Sequence, residues 1–383
     1  MEKVLRMHKE TICVQSGTYH DAVTRGVNTP IFTSSSFEYL ERENVPYPRY
    51  FNTPNQGAVI HKLCALEEAE DGVLFSSGMA AMSTTILAFA GAGDHVVMLD
   101  ELYGGTHAFA TDMFDRLGIG YSFAATSADA VAGAVTPATK VIVIESPTNP
   151  LLGIIEIKRV AQIGKARGIV TVIDNTFATP VHQRPISLGS DVVVHSGTKY
   201  LGGHSDLCCG VAVCSSQHSE RIRQAARHLG GSLNASTCYL LERSLKTLAI
   251  RVERQTQNAA RIAAYLAGHD AIRKVNYPGL PQSIGHEIAR NQMTGFGAML
   301  SFELDDTRIE TALFLRRLKL IRPAVSLGGV ETILCAPAET SHAKISREER
   351  LRIGITDALL RLSVGIENID DLLADLSQAL YVK

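Results

Sequence analysis

The sequence predicts an α/β fold, with a mostly parallel sheet in a large domain and a smaller α/β domain at the C-terminal end. Three observations support this prediction. Short runs of β-branched and other apolar residues end abruptly in polar residues or glycine, which is typical of strands in a sheet covered on both faces. Helix-like segments alternate with these runs between residues 61 and 245, as in a doubly wound sheet. A chain of 383 residues can bury a large core and usually divides into two domains.

The segments follow one another in a readable order. The first 60 residues contain Pro30, Pro46, Pro48 and Pro54 and show no sustained helical or strand period, so we expect an extended arm. Residues 237–267 run almost without a helix breaker and predict one long helix leading into the small domain. Strands of that domain are predicted at 298–302 and 360–364. The expected parts are an arm (1–60), a large domain (61–245) and a small domain (246–383).

Composition excludes several classes of function. The net charge of -2 and the isoelectric point near 6.7 provide no basic surface for nucleic acid or an anionic membrane, so small-molecule substrates are favoured. Seven cysteines, an odd number without paired metal-ligand spacing, argue against a disulfide framework and against a zinc or other metal site. We find neither an apolar run of membrane-spanning length nor a secretory pattern at the N-terminus, and expect a cytoplasmic protein.

One lysine stands where a catalytic group would be expected. The apolar run 192–194 ends in His195, Ser196, Gly197, Thr198 and Lys199. A lysine at the end of a buried strand can be desolvated, lose its proton and form a Schiff base, which is how proteins hold pyridoxal 5′-phosphate (PLP). The alternative is a solvated lysine that merely follows a core strand. The motif by itself favours that alternative.

Other predicted strands end in groups that the same cofactor needs. Asp174 follows the run 169–173 and could pair with a protonated pyridine nitrogen. Asn149, on a proline-flanked turn, could hydrogen-bond a ring hydroxyl or a substrate carboxylate. Tyr103, on a glycine-rich loop, could lie flat against an aromatic cofactor. Because the carboxyl ends of parallel strands meet at one edge of a sheet, these groups should converge near Lys199.

A predicted helix could supply a phosphate site. It begins at Gly78 and Met79, after the capping residue Ser77, and extends to about residue 89. Its exposed N-terminal amides would form an anion cup, to which Ser196 and Thr198 could add hydroxyl groups. A simple helix cap without a ligand is the alternative.

Together, these motifs resemble those of the Cys/Met-metabolism PLP enzymes of fold type I, which include cystathionine γ-synthase, cystathionine γ- and β-lyases and methionine γ-lyase. The resemblance covers nearly the whole chain. It is carried by the Lys199 motif and by the segments 47–49, 76–79, 102–106, 146–150, 174–180, 326–331 and 361–367. It implies the fold of the PLP-dependent transferases of type I, with PLP bound in the large domain.

The resemblance also implies roles for individual residues. Lys199 would form the Schiff base and shuttle protons, Asp174 would pair with the ring nitrogen, and Tyr103 would stack on the ring. The implied phosphate ligands are Gly78, Met79, Ser196 and Thr198, joined by Tyr47 and Arg49 from a neighbouring subunit. The implied binding groups for the substrate carboxylate are Arg361, Asn149 and the backbone near Ser326. A homo-oligomer follows, a dimer with shared sites that is doubled to a tetramer.

Two residues keep an alternative interpretation. Glu331 could face the distal end of an amino-acid substrate and hold an amino group there, or it could be a solvated loop carboxylate. Arg361 could be a surface arginine paired with Asp357 or Glu367 in place of a carboxylate clamp. For His195 and His204 we expect packing or loop hydrogen bonds, because neither has a carboxylate or cysteine at metal spacing.

Departures from the family pattern narrow the expected reaction. Around Tyr47 and Arg49 the arm lacks the acidic residue and the Gly-Asn-Pro-Thr run that many relatives have. Gly105 stands where methionine γ-lyases usually have cysteine, and Leu327 where bacterial β-lyases often have an aromatic residue. A γ-acting enzyme of cystathionine metabolism remains, and a lyase is favoured over a synthase. Tyr47 and Tyr103 are the candidate proton donors to the leaving group.

Two other classes fit the sequence less well. An NAD-dependent oxidoreductase would share the predicted sheet, but no Gly-x-Gly-x-x-Gly stands between a strand and a helix. A non-catalytic scaffold would be expected to have lost Lys199, Asp174 or Arg361, and all three are present.

Overall fold

The computed structural model describes residues 7–343 and 346–381, and its largest element is a seven-stranded sheet. The strands, numbered along the chain, are β1 Asp71–Phe75, β2 His95–Leu99, β3 Gly120–Ala124, β4 Thr139–Glu145, β5 Val170–Asp174, β6 Val192–Ser196 and β7 Gly210–Cys214. Their order across the sheet is β1-β7-β6-β5-β4-β2-β3. All neighbours are parallel except β7, which runs antiparallel to both β1 and β6. The predicted mostly parallel sheet is confirmed.

A second sheet of five strands lies in the C-terminal part. Its strands are β8 Ile272–Asn276, β9 Met299–Leu304, β10 Arg322–Pro323, β11 Ile333–Cys335 and β12 Leu359–Ser363. Their order is β10-β11-β12-β9-β8, and only the β10–β11 pair is parallel. The two strands predicted from sequence here correspond to β9 and β12, within two residues at each end.

Fourteen α-helices occur in the described part of the chain. They are α1 Lys9–Gln15, α2 Pro54–Glu67, α3 Gly78–Phe89, α4 Gly104–Leu117, α5 Ala128–Ala134, α6 Ile157–Arg167, α7 Thr179–His182, α8 Ser216–Leu229, α9 Ala235–Leu245, α10 Leu248–Ala267, α11 His286–Gln292, α12 Thr311–Arg317, α13 Arg347–Arg352 and α14 Ile369–Leu380. Two short 3₁₀ helices occupy Pro48–Tyr50 and Ile186–Leu188. Side-chain caps explain several helix starts: Ser77, Ser127, Ser215 and Asn234 each accept a hydrogen bond from a backbone N–H in the first turn.

The core lies around the central strands of the large sheet. Every residue of β2 is buried, as is every residue of β7. The apolar side chains of β4, β5 and β6 are buried as well, except that Val170 at the start of β5 is partly exposed. Helices cover both faces, so side chains pointing either way from these strands meet other protein. The close packing of these strands therefore fixes the positions of the polar residues at their ends.

The expectation that the first 60 residues are wholly extended is wrong near both ends of that segment, where helices form. Helix α1 packs against α2 and α10, and α2 begins at Pro54, before the predicted boundary at residue 60. Thr53 and Gln56 form a reciprocal capping box and Pro54 occupies the first helical position, which starts the helix early. Residues 1–6 of the predicted arm lie outside the described residues.

The single long helix predicted over 237–267 is wrong. Two helices, α9 and α10, are separated at Lys246 and Thr247. The Thr247 hydroxyl donates to the Ser244 carbonyl and accepts from the Arg251 guanidinium, and such local side-chain bonds compete with the helical ladder. The boundary between the two domains, after residue 245, stays a prediction. The end of the arm at residue 60 also stays a prediction.

Candidate active site

A cavity of about 980 Å³ lies at the carboxyl ends of the central strands. Glu145, Asp174 and Ser196, the last residues of β4, β5 and β6, all line it, as do the first residues of α3 and α4. The structure thus brings most of the predicted residues to one place. These are Gly78, Met79, Tyr103, Asn149, Asp174, Ser196, Thr198, Lys199, Ser326 and Arg361.

Lys199 follows β6 by three residues and enters this cavity. Its Nζ donates a hydrogen bond to the hydroxyl of Ser326 at 2.8 Å. Burial lowers the pKa of the Lys199 amine, and the nearby Arg361 guanidinium lowers it further. A lysine with a lowered pKa loses its proton more readily, and the neutral amine is the nucleophilic form that Schiff-base chemistry requires.

Asp174 is held at the end of β5 by its neighbour Thr176. The Thr176 N–H donates to Oδ1 of Asp174 at 2.9 Å, and the Thr176 hydroxyl accepts from the Ser196 N–H at 2.8 Å. Burial raises the pKa of Asp174, while the hydrogen bonds from Thr176 and the charge of His195 oppose that rise. The carboxylate is therefore oriented and desolvated, and it can pair strongly with a cationic ring nitrogen.

The start of α3 lies at the cavity, where the sequence predicts an anion cup. The Ser77 hydroxyl accepts from the Ala80 N–H, as a helix cap does. A Cβ on Gly78 would lie 2.8 Å from Cβ of Ser196, so only glycine allows the helix to approach β6 this closely. The Thr198 hydroxyl donates to the Cys209 carbonyl and accepts from the Cys209 N–H, which fixes its position at the rim.

Arg361, on β12, reaches the same cavity from the second sheet. Its Nη1 donates to Oδ1 of Asn149 at 2.8 Å and its Nη2 donates to the Ser326 carbonyl at 3.1 Å. Its buried Nε has no partner among the described residues. The surface-pair alternative is wrong. Asp357 pairs with Arg347 and Arg350, and the Glu367 carboxylate accepts from Thr332.

Three predicted residues are not among those that line the cavity. Arg49 donates to the Arg227 carbonyl at 3.2 Å, and its guanidinium lies 5.6 Å from the centre of the Tyr47 ring. Glu331 accepts from the Ser205 hydroxyl, which turns its carboxylate to another loop. A single chain therefore does not bring Tyr47, Arg49 or Glu331 to the other groups.

Sequence reasoning missed Glu145 as a site residue. Glu145 stands directly opposite Asp174 in the β4–β5 register, and its Oε2 accepts from the Tyr103 N–H at 2.8 Å. Burial raises the pKa of Glu145 well above its usual value, and the adjacent Asp174 adds to this effect. The signal was present in the sequence, because the run 141–144 ends in a carboxylate as the run 169–173 does.

His195 and His204 differ in their surroundings. Nδ1 of His204 lies 2.7 Å from the Gly202 carbonyl oxygen, a loop hydrogen bond as expected. Nε2 of His195 lies 2.6 Å from Oε1 of Glu67, a buried carboxylate 128 positions earlier in the sequence. Local spacing could not show this partner. The His195–Glu67 pair is buried on the face of the sheet away from the cavity.

The mostly parallel sheet, the lysine beyond β6 and the carboxylate at the end of β5 define a PLP-dependent enzyme of fold type I. The family model described as Cys/Met metabolism PLP-dependent enzyme matches residues 10–381. The chain belongs to that family, and its cofactor is PLP. The residues around the cavity fit this cofactor, because the Lys199 amine, the Asp174 carboxylate and the first residues of α3 converge there.

Individual relatives agree with this assignment. The chain is 43% identical over 380 residues to cystathionine gamma-lyase of Bacillus subtilis, covering 98% of this chain and 99% of the relative. It is also 43% identical over 375 residues to cystathionine beta-lyase of the same organism, covering 97% and 96%. A crystal structure of cystathionine gamma-lyase from Lactobacillus plantarum complexed with L-serine superposes with a TM-score of 0.94 at 40% identity, covering 97% of this chain and 98% of that chain.

These relatives define an enzyme of the cystathionine lyase or synthase type, because cystathionine gamma-synthases match as well. No helix in 7–343 or 346–381 is both long and apolar enough to cross a membrane. The cytoplasmic location stays a prediction.

Proposed function

We propose that the protein is a lyase of the cystathionine γ-lyase type, which cleaves the Cγ–S bond of an amino acid such as L-cystathionine. The observation that carries the proposal is the position of Lys199. Its amine has a lowered pKa, and it lies in the cavity that Asp174 and Arg361 also line. A γ-elimination needs a base that removes a proton first from Cα and then from Cβ, and one mobile lysine amine can do both.

The residues around Lys199 have separate tasks in this reaction. When bound, PLP withdraws electrons from Cα of the amino acid. Asp174 holds the proton on the ring nitrogen, and Tyr103 covers the ring. Arg361, with Asn149, grips the α-carboxylate and thereby orients the Cα–H bond towards Lys199. Tyr103, or Tyr47 from a second copy of the chain, donates a proton to the leaving sulfur.

The phosphate group of PLP has a separate set of proposed ligands. They are Gly78, Met79, Ser196 and Thr198. The backbone N–H groups at the start of α3 point outward from the helix, where an anion is stabilised. The close contact between Gly78 and Ser196 supports this site, since it brings the helix start and the end of β6 to the same rim of the cavity.

Two residues of the cavity wall support γ-elimination. Gly105, which lies against the Tyr103 ring and the Met79 sulfur, provides no thiol of the kind usual in methionine γ-lyases. Leu327 lines the cavity with an aliphatic side chain where bacterial β-lyases often place an aromatic ring. Neither residue therefore matches the pattern usual in those two kinds of enzyme.

We also propose that the functional unit is a dimer that shares its sites, doubled to a tetramer. Tyr47 and Arg49 lie on the arm, away from the cavity of their own chain. Several large apolar side chains of the arm are exposed in the single chain: Val23, Val27, Tyr39 and Leu40. A second copy of the chain would cover this apolar surface and receive Tyr47 and Arg49 at its own cavity.

Product analysis tests the proposed reaction. The purified holoenzyme is incubated with L-cystathionine, and the products are separated and quantified. We expect cysteine, 2-oxobutanoate and ammonia in equal amounts, with one water consumed. Homocysteine and pyruvate as the main products would show a β-lyase. Faster formation of cystathionine from an O-acyl homoserine and cysteine would show a γ-synthase. The Lys199→Ala variant serves as the control and should form no products.

A further inference from the structure

A buried histidine–glutamate pair lies close behind the cavity. Nε2 of His195 and Oε1 of Glu67 are 2.6 Å apart, and the two side chains are 1% and 0% exposed. Glu67 is the last residue of α2, and His195 lies in β6. Removing two ionisable groups from water costs more free energy than their contact returns unless the geometry is favourable.

The pair lies on the opposite face of the sheet from the cavity. Ser196 lines the cavity, so His195, its neighbour in β6, points to the other face. Asp174 pairs with Val194 in the β5–β6 register, which places His195 one residue beyond the partner of Asp174. The imidazole therefore lies behind the Asp174 carboxylate, separated from it by the backbone of the sheet.

Further hydrogen bonds hold the pair against the ends of the strands. Oε1 of Glu67 also accepts from the Asn175 side chain at 2.9 Å. Gln183 donates to Oδ1 of Asn175 at 2.9 Å and to the Ser146 carbonyl at 2.8 Å. One network thus connects α2 with the residues that directly follow β4 and β5, and with β6. Both Asn175 and Ser146 directly follow carboxylates of the cavity, Asp174 and Glu145.

The charge of His195 can affect the ionisation of Asp174. Asp174 is desolvated, which raises its pKa, and the charge of His195 acts in the opposite direction. Among the described residues, the charged groups near His195 are Glu67 of α2, which is bonded to it, and Asp174 of β5, which lies on the other face of the sheet. Its register partner on β7 is Val211, which carries no charge. An imidazolium between two carboxylates can stabilise both, and Glu67 is bonded to it directly.

We propose that the His195–Glu67 pair is a positioning device, in which Glu67 keeps His195 charged behind β5 so that Asp174 stays ionised for the ring nitrogen of PLP. The pair touches neither cofactor nor substrate and acts through Asp174. The inference rests on the role proposed for Asp174 above.

The test uses Glu67→Gln, which preserves shape but removes the charge. Oε1 of Glu67 takes both hydrogen bonds and Oε2 has no partner in the described structure, so a glutamine oxygen can replace Oε1. The matched control is Glu68→Gln, which removes a carboxylate one residue later, where it is exposed and bonded to Arg184. Each holoprotein is loaded with PLP labelled with ¹⁵N in the ring, and the ¹⁵N chemical shift of the ring nitrogen is followed from pH 6 to pH 9.

We expect the ring nitrogen to lose its proton at lower pH in Glu67→Gln than in the wild type, by about tenfold or more in apparent proton affinity. Glu68→Gln should titrate like the wild type. Coincident titrations of Glu67→Gln and wild type would overturn the inference. An Asp174→Asn holoprotein distinguishes a failure of the role proposed for Asp174 from a failure of the inference about the His195–Glu67 pair. If its ring nitrogen stays protonated, the role of Asp174 fails. If Asp174→Asn deprotonates while Glu67→Gln does not, only the inference fails.

A second measurement needs no folded Glu67 variant. Solid-state ¹⁵N spectra of wild-type holoprotein with labelled histidine report whether both ring nitrogens of His195 carry protons, and His195→Gln identifies the resonance by its loss. Two protonated nitrogens at pH 8 are expected. A neutral imidazole at that pH would overturn the inference even if Glu67→Gln does not fold.

Discussion

The Arg361 guanidinium is held in place by residues of the cavity wall. Its two terminal nitrogens donate hydrogen bonds to Asn149 and to the Ser326 carbonyl. The residue is only 5% exposed. Neither partner carries a full negative charge. A substrate carboxylate is the anion that would complete this site, and the planar fork of arginine suits two parallel hydrogen bonds.

Arg361→Lys should therefore raise KM for amino-acid substrates strongly, although the charge is kept. An ammonium cannot hold Asn149, Ser326 and a carboxylate in the same plane, and we expect a loss of about 2–4 kcal/mol in kcat/KM. Steady-state kinetics with cystathionine measure this loss, and a cofactor titration serves as the control, since PLP affinity should stay nearly unchanged. A variant within about twofold of wild type would remove Arg361 from the site.

Glu145, which is buried, and Asp174, which is partly exposed, are neighbouring carboxyl groups with raised pKa values. When the pKa of a group is higher in the folded than in the unfolded state, the folded protein binds more protons than the unfolded protein at pH values between the two pKa values. Its stability therefore falls as the pH rises through that window. Glu145→Gln removes the ionisation of one member while its amide oxygen can still accept from the Tyr103 N–H.

For the cofactor-free protein we expect Glu145→Gln to be more stable than wild type at pH 8, by about 1–3 kcal/mol, and close to it at pH 5. Melting temperatures of both proteins at the two pH values measure the change. The wild-type curve controls for the other titrating groups. An equal difference in melting temperature at both pH values would contradict the assignment of the shift to Glu145.

Helix α3 and strand β6 approach each other so closely at Gly78 that no residue larger than glycine fits there. Gly78→Ala places a methyl group 2.8 Å from Cβ of Ser196 and must push the helix start away from the strand. We expect a loss of PLP affinity worth about 1–3 kcal/mol. Gly133→Ala, at an exposed helix position with nothing within 4 Å, is the control and should be neutral or slightly stabilising. Fluorescence titration with PLP distinguishes the two, and equal affinities would argue against the proposed phosphate cup.

The strand ends were predictable because their signal is local. An apolar run followed by a polar residue identifies Asp174, Ser196 and Lys199 from adjacent positions alone. The end of α9 was not predictable, because it depends on hydrogen bonds of Thr247 that require the folded backbone. The partnership of Glu67 with His195 joins residues 128 positions apart, which no short-range pattern reveals.

In the whole molecule, the site of a single chain is incomplete under the proposed oligomeric arrangement. The cavity holds the groups proposed to bind the ring and the substrate carboxylate, but Tyr47 and Arg49 lie elsewhere. Resemblance to the family predicted a second subunit here, whereas periodicity and charge could not. Glu331 shows the same limit, because its position depends on a contact with Ser205, which is distant in sequence.

Co-expression of Arg49→Ala and Lys199→Ala chains with different tags should restore activity that neither variant has alone. If each site combines Lys199 of one chain with Arg49 of the other, every mixed dimer has one intact site out of two. Activity is measured on oligomers purified through both tags. Inactive oligomers that demonstrably contain both chains would contradict a shared site.

Borohydride reduction of the wild-type holoprotein, followed by proteolysis and mass spectrometry, tests whether this cavity holds the cofactor. Reduction makes the bond between PLP and its lysine permanent. We predict loss of the visible absorption band and one phosphopyridoxyl group on the peptide that contains Lys199. A phosphopyridoxyl group on any other lysine, or none on Lys199 in protein that contains stoichiometric PLP, would contradict the placement of the active site at the ends of β4, β5 and β6.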